Sequence, residues 1–322
     1  MKYLTLDDVC LLNMGQSPDS STYNEVGEGL PFYQGNADFG ERYPQCRIWC
    51  SEPTKIAEKE DVLISVRAPI GALNEAREKC CIGRGLAAIR PKGGLNKDFL
   101  YYFLLSKKSY LISKGTGSTF KAISKNVLRE LTIPVPTLQE QEKQSGILNT
   151  LWRVICKRRT QQAKLDELIK CRFVELFGDQ KMNPYGWPQT TVGNCCILKS
   201  GTSLPADKEN EGGTIPYVKV SDMNYPGNEH YITTSSRFVT EQTAGVGVFP
   251  VGTVIFPKRG GAIGTNKKRL TKLPICADLN VMGVIAGSNL ASQYLMAYFD
   301  MIDLGALDNG SSVPQINNKD IA

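Results

Sequence analysis

Two rhythms of apolar residues run along this chain, and each of them occurs twice. Short β-branched or alternating runs, "DVLISV" from Asp61, "GLAAIR" from Gly85, "GTVIF" from Gly252 and "NVMGVIAG" from Asn280, are punctuated by Gly and Pro. They predict strands of a bent, loop-rich sheet. Each set precedes a stretch with apolar residues at three-to-four spacing, "KDFLYYFLLSKKSYLISK" from Lys97 and "ASQYLMAYFDMIDLGAL" from Ala291, which predicts a helical segment. Each half therefore reads as a small α+β domain.

Sliding the sequence along itself extends the repeat to four blocks in one order. "DDVCLLNMGQSP" faces "VGNCCILKSGTSLP", placing Gly15 opposite Gly201, and "LPFYQGNADFG" from Leu30 faces "IPYVKVSDMNY" from Ile215. "DVLISVRAPIGA" faces "GTVIFPKRGGAIGT", with Gly71 opposite Gly264, an offset of 264 − 71 = 193 residues. At that same offset "GTGSTFKAISKNVL" from Gly115 faces "LDNGSSVPQINNKDIA" from Leu307, pairing Gly117, Ser118 and Ile123 with Gly310, Ser311 and Ile316. A period this long means a duplicated domain, not a solenoid of short units.

A third rhythm separates the copies. From Thr137 to Phe177 there is no proline and a single glycine, Gly146, and Thr137 with Glu140 forms a capping box. Leu148, Leu151, Ile155, Leu165, Ile169 and Leu176 keep an alternating three-and-four spacing, interrupted by Arg158 and Gln162, which predicts a coiled-coil stripe with a polar middle. At about 1.5 Å per residue such a helix would be about 60 Å long. Its expected task is to hold the two copies a fixed distance apart. The expected organisation is α+β, with one domain at 1–136, the helix at 137–178 and a second, similar domain at 179–322. Lys157, Arg158 and Arg159 on this helix fit a dock for an acidic partner or DNA backbone equally as well as a solvated face.

Composition narrows the picture only slightly. A chain of 322 residues with 41% apolar and 22% charged residues has room for about two soluble domains. No window approaches the ~18–20 apolar residues of a membrane span, and Asp7 and Asp8 interrupt any leader-like start, so the expected location is the cytoplasm. The ten cysteines fall singly or as neighbours (Cys80 with Cys81, Cys195 with Cys196), without a C-x-x-C pair, and read as reduced small hydrophobes. Lys and Arg number 38 against 32 acids, a net +6 that permits a polyanionic partner without requiring one.

The most specific segments are "LTIPVPTLQEQEKQSGIL" from Leu131, "FVELFGD" from Phe173, "NPYGW" from Asn183, and the paired "RAPIGA" and "KRGGAIGT" turns and Gly-Ser loops. With two related domains joined by a long helix, the chain resembles the specificity (S) subunit of type I restriction-modification systems, the HsdS family, over essentially its whole length. The resemblance implies two target recognition domains, each reading half of a bipartite sequence in double-stranded DNA. It also implies helices that act as a ruler and dock two methyltransferase (M) subunits, which restriction (R) subunits then join. The S subunit would have no catalytic site, and S-adenosylmethionine, ATP and Mg2+ would be used by the partner subunits, not by this chain. A full-length member carries a second long helix after the second domain, packed antiparallel on the first. This chain stops at "NNKDIA", where the lead-in to that helix should begin. Either it is truncated there or a second chain supplies the helix, and self-association through the exposed seam is expected.

Candidate DNA contacts follow from residue type and position. Gly117, Ser118, Thr119 and Lys121 in one loop, and Ser311, Ser312 and Gln315 in its counterpart, offer close backbone approach, hydroxyl donors and charge, although a plain solvated turn has the same composition. Recurrence in both copies and the family resemblance favour DNA contact. Arg67, Lys258 and Arg259 leave strand ends into Gly/Pro turns, with Lys267, Lys268 and Arg269 following; they could neutralise phosphates or reach guanine, or simply be solvated. Arg84, between two glycines, could equally be structural. Gln34, Asn36, Lys219 and Ser221 open matched loops and are candidates for base contacts, since Asn and Gln pair bidentately with adenine.

Other chemistries fit less well. "NPYGW" lacks the second proline of a methyltransferase N-P-P-Y motif, and no nucleotide-binding glycine loop accompanies it. Asp222, Asp278 and Asp300 read as scattered acids without counterparts in the other copy, unlike a nuclease metal site. His230, the single histidine, lies in a polar loop with no nucleophile nearby. The alternative to DNA recognition is a protein-binding scaffold of duplicated domains.

Overall fold

The computed structural model describes residues 2–117, 121–308, 310 and 313–322. They form two compact units, Met1–Thr160 and Gln161–Ala322, and the boundary falls inside one continuous helix, Leu138–Phe177. The architecture is α+β: two similar domains, with the long helix lying between them in the chain.

In unit one an antiparallel sheet runs in the order Cys10–Met14, Leu86–Pro91, Val62–Ser65, Leu73–Glu75. A second sheet of mostly two- to four-residue strands centres on Leu30–Tyr33, which pairs in parallel with Cys80–Ile82. Alternation along Val62–Ser65 explains how one strand serves two cores. Val62 and Ile64 pack with Leu100 and Leu104 of the helix Lys97–Ser106, while Leu63, on the opposite face, packs with Tyr33, Ile82 and Leu86. Each fully buried Leu or Ile of this kind contributes roughly 2 kcal/mol.

Unit two repeats the plan. Cys196–Ser200, Val281–Ala286 and Val254–Pro257 pair in the same antiparallel order, and Ile215–Val218 runs parallel to Cys276–Ala277. Val254 and Phe256 pack with Leu295 and Phe299, while Ile255 faces Val218 and Phe249. Gly15 and Gly201 mark one shared constraint. A Cβ on Gly15 would lie 2.2 Å from the carbonyl oxygen of Gly83, and one on Gly201 would lie 2.1 Å from that of Asp278, so each strand end must be bare for the chains to cross.

The helical stretches are shorter than their apolar spacing predicts. The first breaks at Lys107 into Lys97–Ser106 and Lys108–Ser113. The second is Ser292–Asp300, after which the Asp303 carboxylate accepts from the N–H of Gly305 and starts a separate turn, Leu304–Leu307. The long helix begins as its capping box predicts: the N–H of Glu140 donates to Thr137 Oγ1 at 3.3 Å, and the N–H of Thr137 donates to Glu140 Oε2 at 3.0 Å. Among the described residues no helix is long and apolar enough to cross a membrane.

Candidate nucleic-acid interface

In unit one the strand Leu30–Tyr33 ends in the turn Asn36–Asp38, and Asp38 sets its shape. The buried carboxylate accepts from the N–H of Gln34 at 2.8 Å through Oδ2, which leaves the Gln34 side chain exposed and Asn36 half-buried. Beside it, the N–H of Gly83 donates to Tyr33 and that of Gly85 to Gln34, at 2.9 and 3.1 Å. A Cβ on Gly85 would sit 2.4 Å from the Gln34 carbonyl oxygen. Glycines therefore flank Arg84 because the turn packs backbone on backbone, and the Arg84 side chain is left outside, exposed.

The strand end carrying Arg67 joins the same place. The N–H of Val66 donates to Gly85 at 2.9 Å, Arg67 bridges Ala122, and the N–H of Ala68 donates to the carbonyl of Lys121 at 3.1 Å. The arginine-bearing turn and the small-residue loop from Gly115 are thus backbone neighbours, with Gly117 and Lys121 exposed. Ser118 and Thr119 lie outside the described residues.

Four of the residues singled out from sequence, Gln34, Asn36, Arg67 and Arg84, line one cavity of about 420 Å³. A fifth, Arg47, shares it, and no sequence motif marks it. Its side chain is 64% exposed, and its Nη2 donates to Asp38 Oδ1 at 2.5 Å, a contact that raises the Arg47 pKa. Among the described residues, Arg67 and Arg84 have no carboxylate within ion-pairing distance.

Unit two holds the corresponding backbone. The N–H of Lys258 donates to Asn280, that of Gly260 to Pro314 and that of Ile316 to Lys258, while Arg259 bridges Gln315. By these bonds Arg259 occupies the position of Arg67, Gln315 that of Ala122, and Leu279 that of Arg84. Arg259 and Ser221 are exposed. Other cations are engaged internally. Lys219 Nζ donates to both oxygens of Glu209 at 2.6 Å, Lys258 Nζ donates to Ser200 Oγ at 2.7 Å, and Lys267 Nζ donates to Asn224. Burial lowers the Lys258 pKa, with Arg259 adding to the effect.

The run Lys267, Lys268, Arg269 is not one surface patch. Lys268 is 4% exposed, and its Nζ donates to the carbonyl of Ile302 at 2.6 Å and to Asn266 Oδ1 at 2.8 Å. Burial pulls its pKa down to about 8. Arg269 donates inward to the carbonyls of Met223 and Asn228. Lys268 lies just before strand Arg269–Thr271, where Leu270 and Thr271 are buried too, and a run of like charges in sequence does not reveal this inward turn. Ser311 and Ser312 lie outside the described residues. Asp222 also departs from the sequence expectation, because it has a counterpart: it caps the N–H of Lys219 at 2.7 Å as Asp38 caps Gln34.

On the long helix, Leu148, Leu151, Ile155, Leu165, Ile169 and Leu176 are each 40–60% exposed. The face that packs on unit one is a different and polar one. Gln141 is fully buried, its Oε1 accepting from the N–H of Asn96 at 2.8 Å and its Nε2 donating to the carbonyl of Gly94 at 3.0 Å. Asn149 donates to Asp98 and accepts from the hydroxyl of Tyr102, both at 2.8 Å. In unit two Phe173 and Phe177 pack on Tyr294, with centroid distances of 5.4 and 4.9 Å.

A family model described as the type I restriction modification DNA specificity domain matches residues 1–165, just over half of the chain. This chain belongs to that family. It is similar to two specificity subunits of Methanocaldococcus jannaschii type I restriction enzymes. Against MjaX it is 42% identical over 158 residues, covering 49% of this chain and 37% of the relative. Against MjaIX it is 25% identical over 292 residues, covering 83% of this chain and 66% of the relative. The chain thus spans less than two thirds of either relative's length. Among solved structures, the S subunit of a type I restriction-modification system from M. genitalium has a similar fold, with a TM-score of 0.53 at 17% identity over 92% of this chain and 76% of that one. The HsdS subunit from Thermoanaerobacter tengcongensis is 45% identical over half of this chain and 39% of its own, with a TM-score of 0.46.

Proposed function

We propose that this specificity-family chain binds double-stranded DNA, each unit contacting one half of a bipartite target, while the helix docks two M subunits that R subunits join. The observation that carries the reading is the cavity in unit one. Residues from three separate sequence blocks, Gln34, Asn36, Arg67 and Arg84, line it together with Arg47. Arginine is suited to guanine O6 and N7 or to phosphate, and Asn and Gln to adenine, so the lining has the donors of both direct readout and backbone positioning. Among the described residues Arg67 and Arg84 stand without acidic partners, so no ion pair there need be broken for them to meet an anion. The exposed leucine and isoleucine stripe of the helix is the surface proposed for subunit docking. In this reading the chain is non-catalytic and holds no cofactor; S-adenosylmethionine, ATP and Mg2+ serve the partner subunits.

The test is DNA affinity of the assembled S–M complex against salt. With Arg67→Ala and Arg84→Ala together, affinity should drop at least tenfold at moderate salt, and the slope of log K against log salt should flatten by roughly 0.9 for each phosphate that is no longer neutralised. The pair Arg259→Ala and Lys267→Ala should weaken binding through unit two. Unchanged affinity in both pairs would overturn the assignment, and binding indifferent to salt would favour the protein scaffold.

A further inference from the structure

One buried carboxylate does the same work in both units, yet holds a different side chain in each. The N–H of Phe32 donates to Ile48 at 2.8 Å, and that of Tyr217 donates to Arg237 at 2.9 Å, so Ile48 and Arg237 are equivalent and so are their predecessors, Arg47 and Ser236. Asp38 uses Oδ2 to cap the strand end at Gln34 and Oδ1 to hold the Arg47 guanidinium. Asp222 uses Oδ2 to cap Lys219 and Oδ1 to accept from Ser236, at 2.8 Å from Oγ and 3.2 Å from N. Asp222 is fully buried and Asp38 is 9% exposed. The acid belongs to the scaffold and the residue on its outer oxygen is free to differ. In unit one that residue is a largely exposed guanidinium in the cavity with Gln34 and Asn36. A guanidinium carries five N–H donors, so one nitrogen held by a carboxylate still leaves donors for a base edge.

We propose that positions 47 and 236 are the specificity-determining positions of this latch: Arg47 selects guanine at one base pair of one half-site, and Ser236, at the matching place in the other half-site, discriminates less. Asp38 and Asp222 are positioning residues that aim them. The proposal rests on the reading that the units bind DNA, and it adds which residue chooses a base. Holding the guanidinium before DNA arrives lowers the cost of ordering a long side chain on binding.

The experiment uses the assembled S–M complex and a library of DNA targets randomised in both half-sites, read by which molecules become methylated. Arg47→Ser should reduce discrimination at one base pair of one half-site by roughly 10- to 100-fold, as expected when one bidentate base pairing is removed. The other half-site and the spacer should be unaltered. Asp38→Asn should blur the same base pair with Arg47 intact, a readout that a merely structural cap would not confine to one position. Ser236→Arg should create a guanine preference in the other half-site only. An Arg47→Ser complex that loses affinity evenly across all sequences would make Arg47 a phosphate contact and overturn the proposal, as would an unaltered target. A wild-type complex with no sequence preference would instead remove the DNA-recognition reading on which the proposal stands. Thermal melting of each variant identifies any loss due to unfolding, and Arg47→Ser should melt close to the wild type because the new hydroxyl can donate to Asp38 as Ser236 donates to Asp222.

Discussion

Single residues decide what the sequence-level charge pattern means. Lys268 and Arg67 are both basic residues beside a glycine-containing turn, but one is inside unit two and the other faces a cavity. The pKa of Lys268, about 8 in the folded chain, lies below the value of about 10.4 for a free lysine. Between these values the unfolded state binds the proton more tightly, so unit two should gain stability as pH rises from 7 towards 10 and lose it as pH falls. The expected gain over that interval is about 2–3 kcal/mol from this group. It should vanish in Lys268→Met, so in denaturant melts the change in stability between pH 7 and pH 10 should be larger for the wild type than for the variant by this amount. Parallel behaviour of the two proteins would show that the folded ammonium is not depressed.

At the scale of elements, the strands were legible because alternation and burial agree. "DVLISV", "GLAAIR", "GTVIF" and "NVMGVIAG" correspond to Val62–Ser65, Leu86–Pro91, Val254–Pro257 and Val281–Ala286. Two-residue strands such as Tyr23–Asn24 and Ile56–Ala57 offered no period to read. The candidate cavity was half legible. Its arginines and amides stand at motif turns, but Arg47 comes from "QCRIWC", a stretch without a turn signal, and only folding brings it to Asp38. The helix was read by its leucines, whereas the face that holds it to unit one includes Gln141, Ser145 and Asn149, polar residues invisible to a hydrophobic pattern. That division has a consequence for the exposed stripe. Leu151 and Ile155 are 54% and 50% exposed, so Leu151→Glu with Ile155→Glu should alter the stability of the chain by no more than about 0.5 kcal/mol per site. The same pair should abolish co-elution with M subunits in size-exclusion chromatography. Retention of the complex would move the docking surface elsewhere.

For the whole molecule, the question is how two units with similar backbones and different contact residues would jointly choose a target. Arg84 in unit one corresponds to Leu279 in unit two, and Arg47 to Ser236, so the duplication preserves the frame while the side chains diverge, as two unlike half-sites would require. A bipartite target also demands a defined spacing, and the proposed source of it is the unbroken helix Leu138–Phe177, whose first part contacts unit one through Gln141 and Asn149 and whose last part contacts unit two through Phe173. Four helix-forming residues inserted after Thr160 fall between these two attachments and leave both intact. They lengthen the helix by about 6 Å and advance its phase by about 40°. DNA rises about 3.4 Å per base pair, so the target should acquire roughly two more spacer base pairs. Both half-site sequences should remain as in the wild type, because none of the cavity residues has moved within its own unit. Methylation profiling of cells carrying the variant system reads both quantities at once. Preserved half-sites with an unaltered spacer would show that something other than this helix sets the distance.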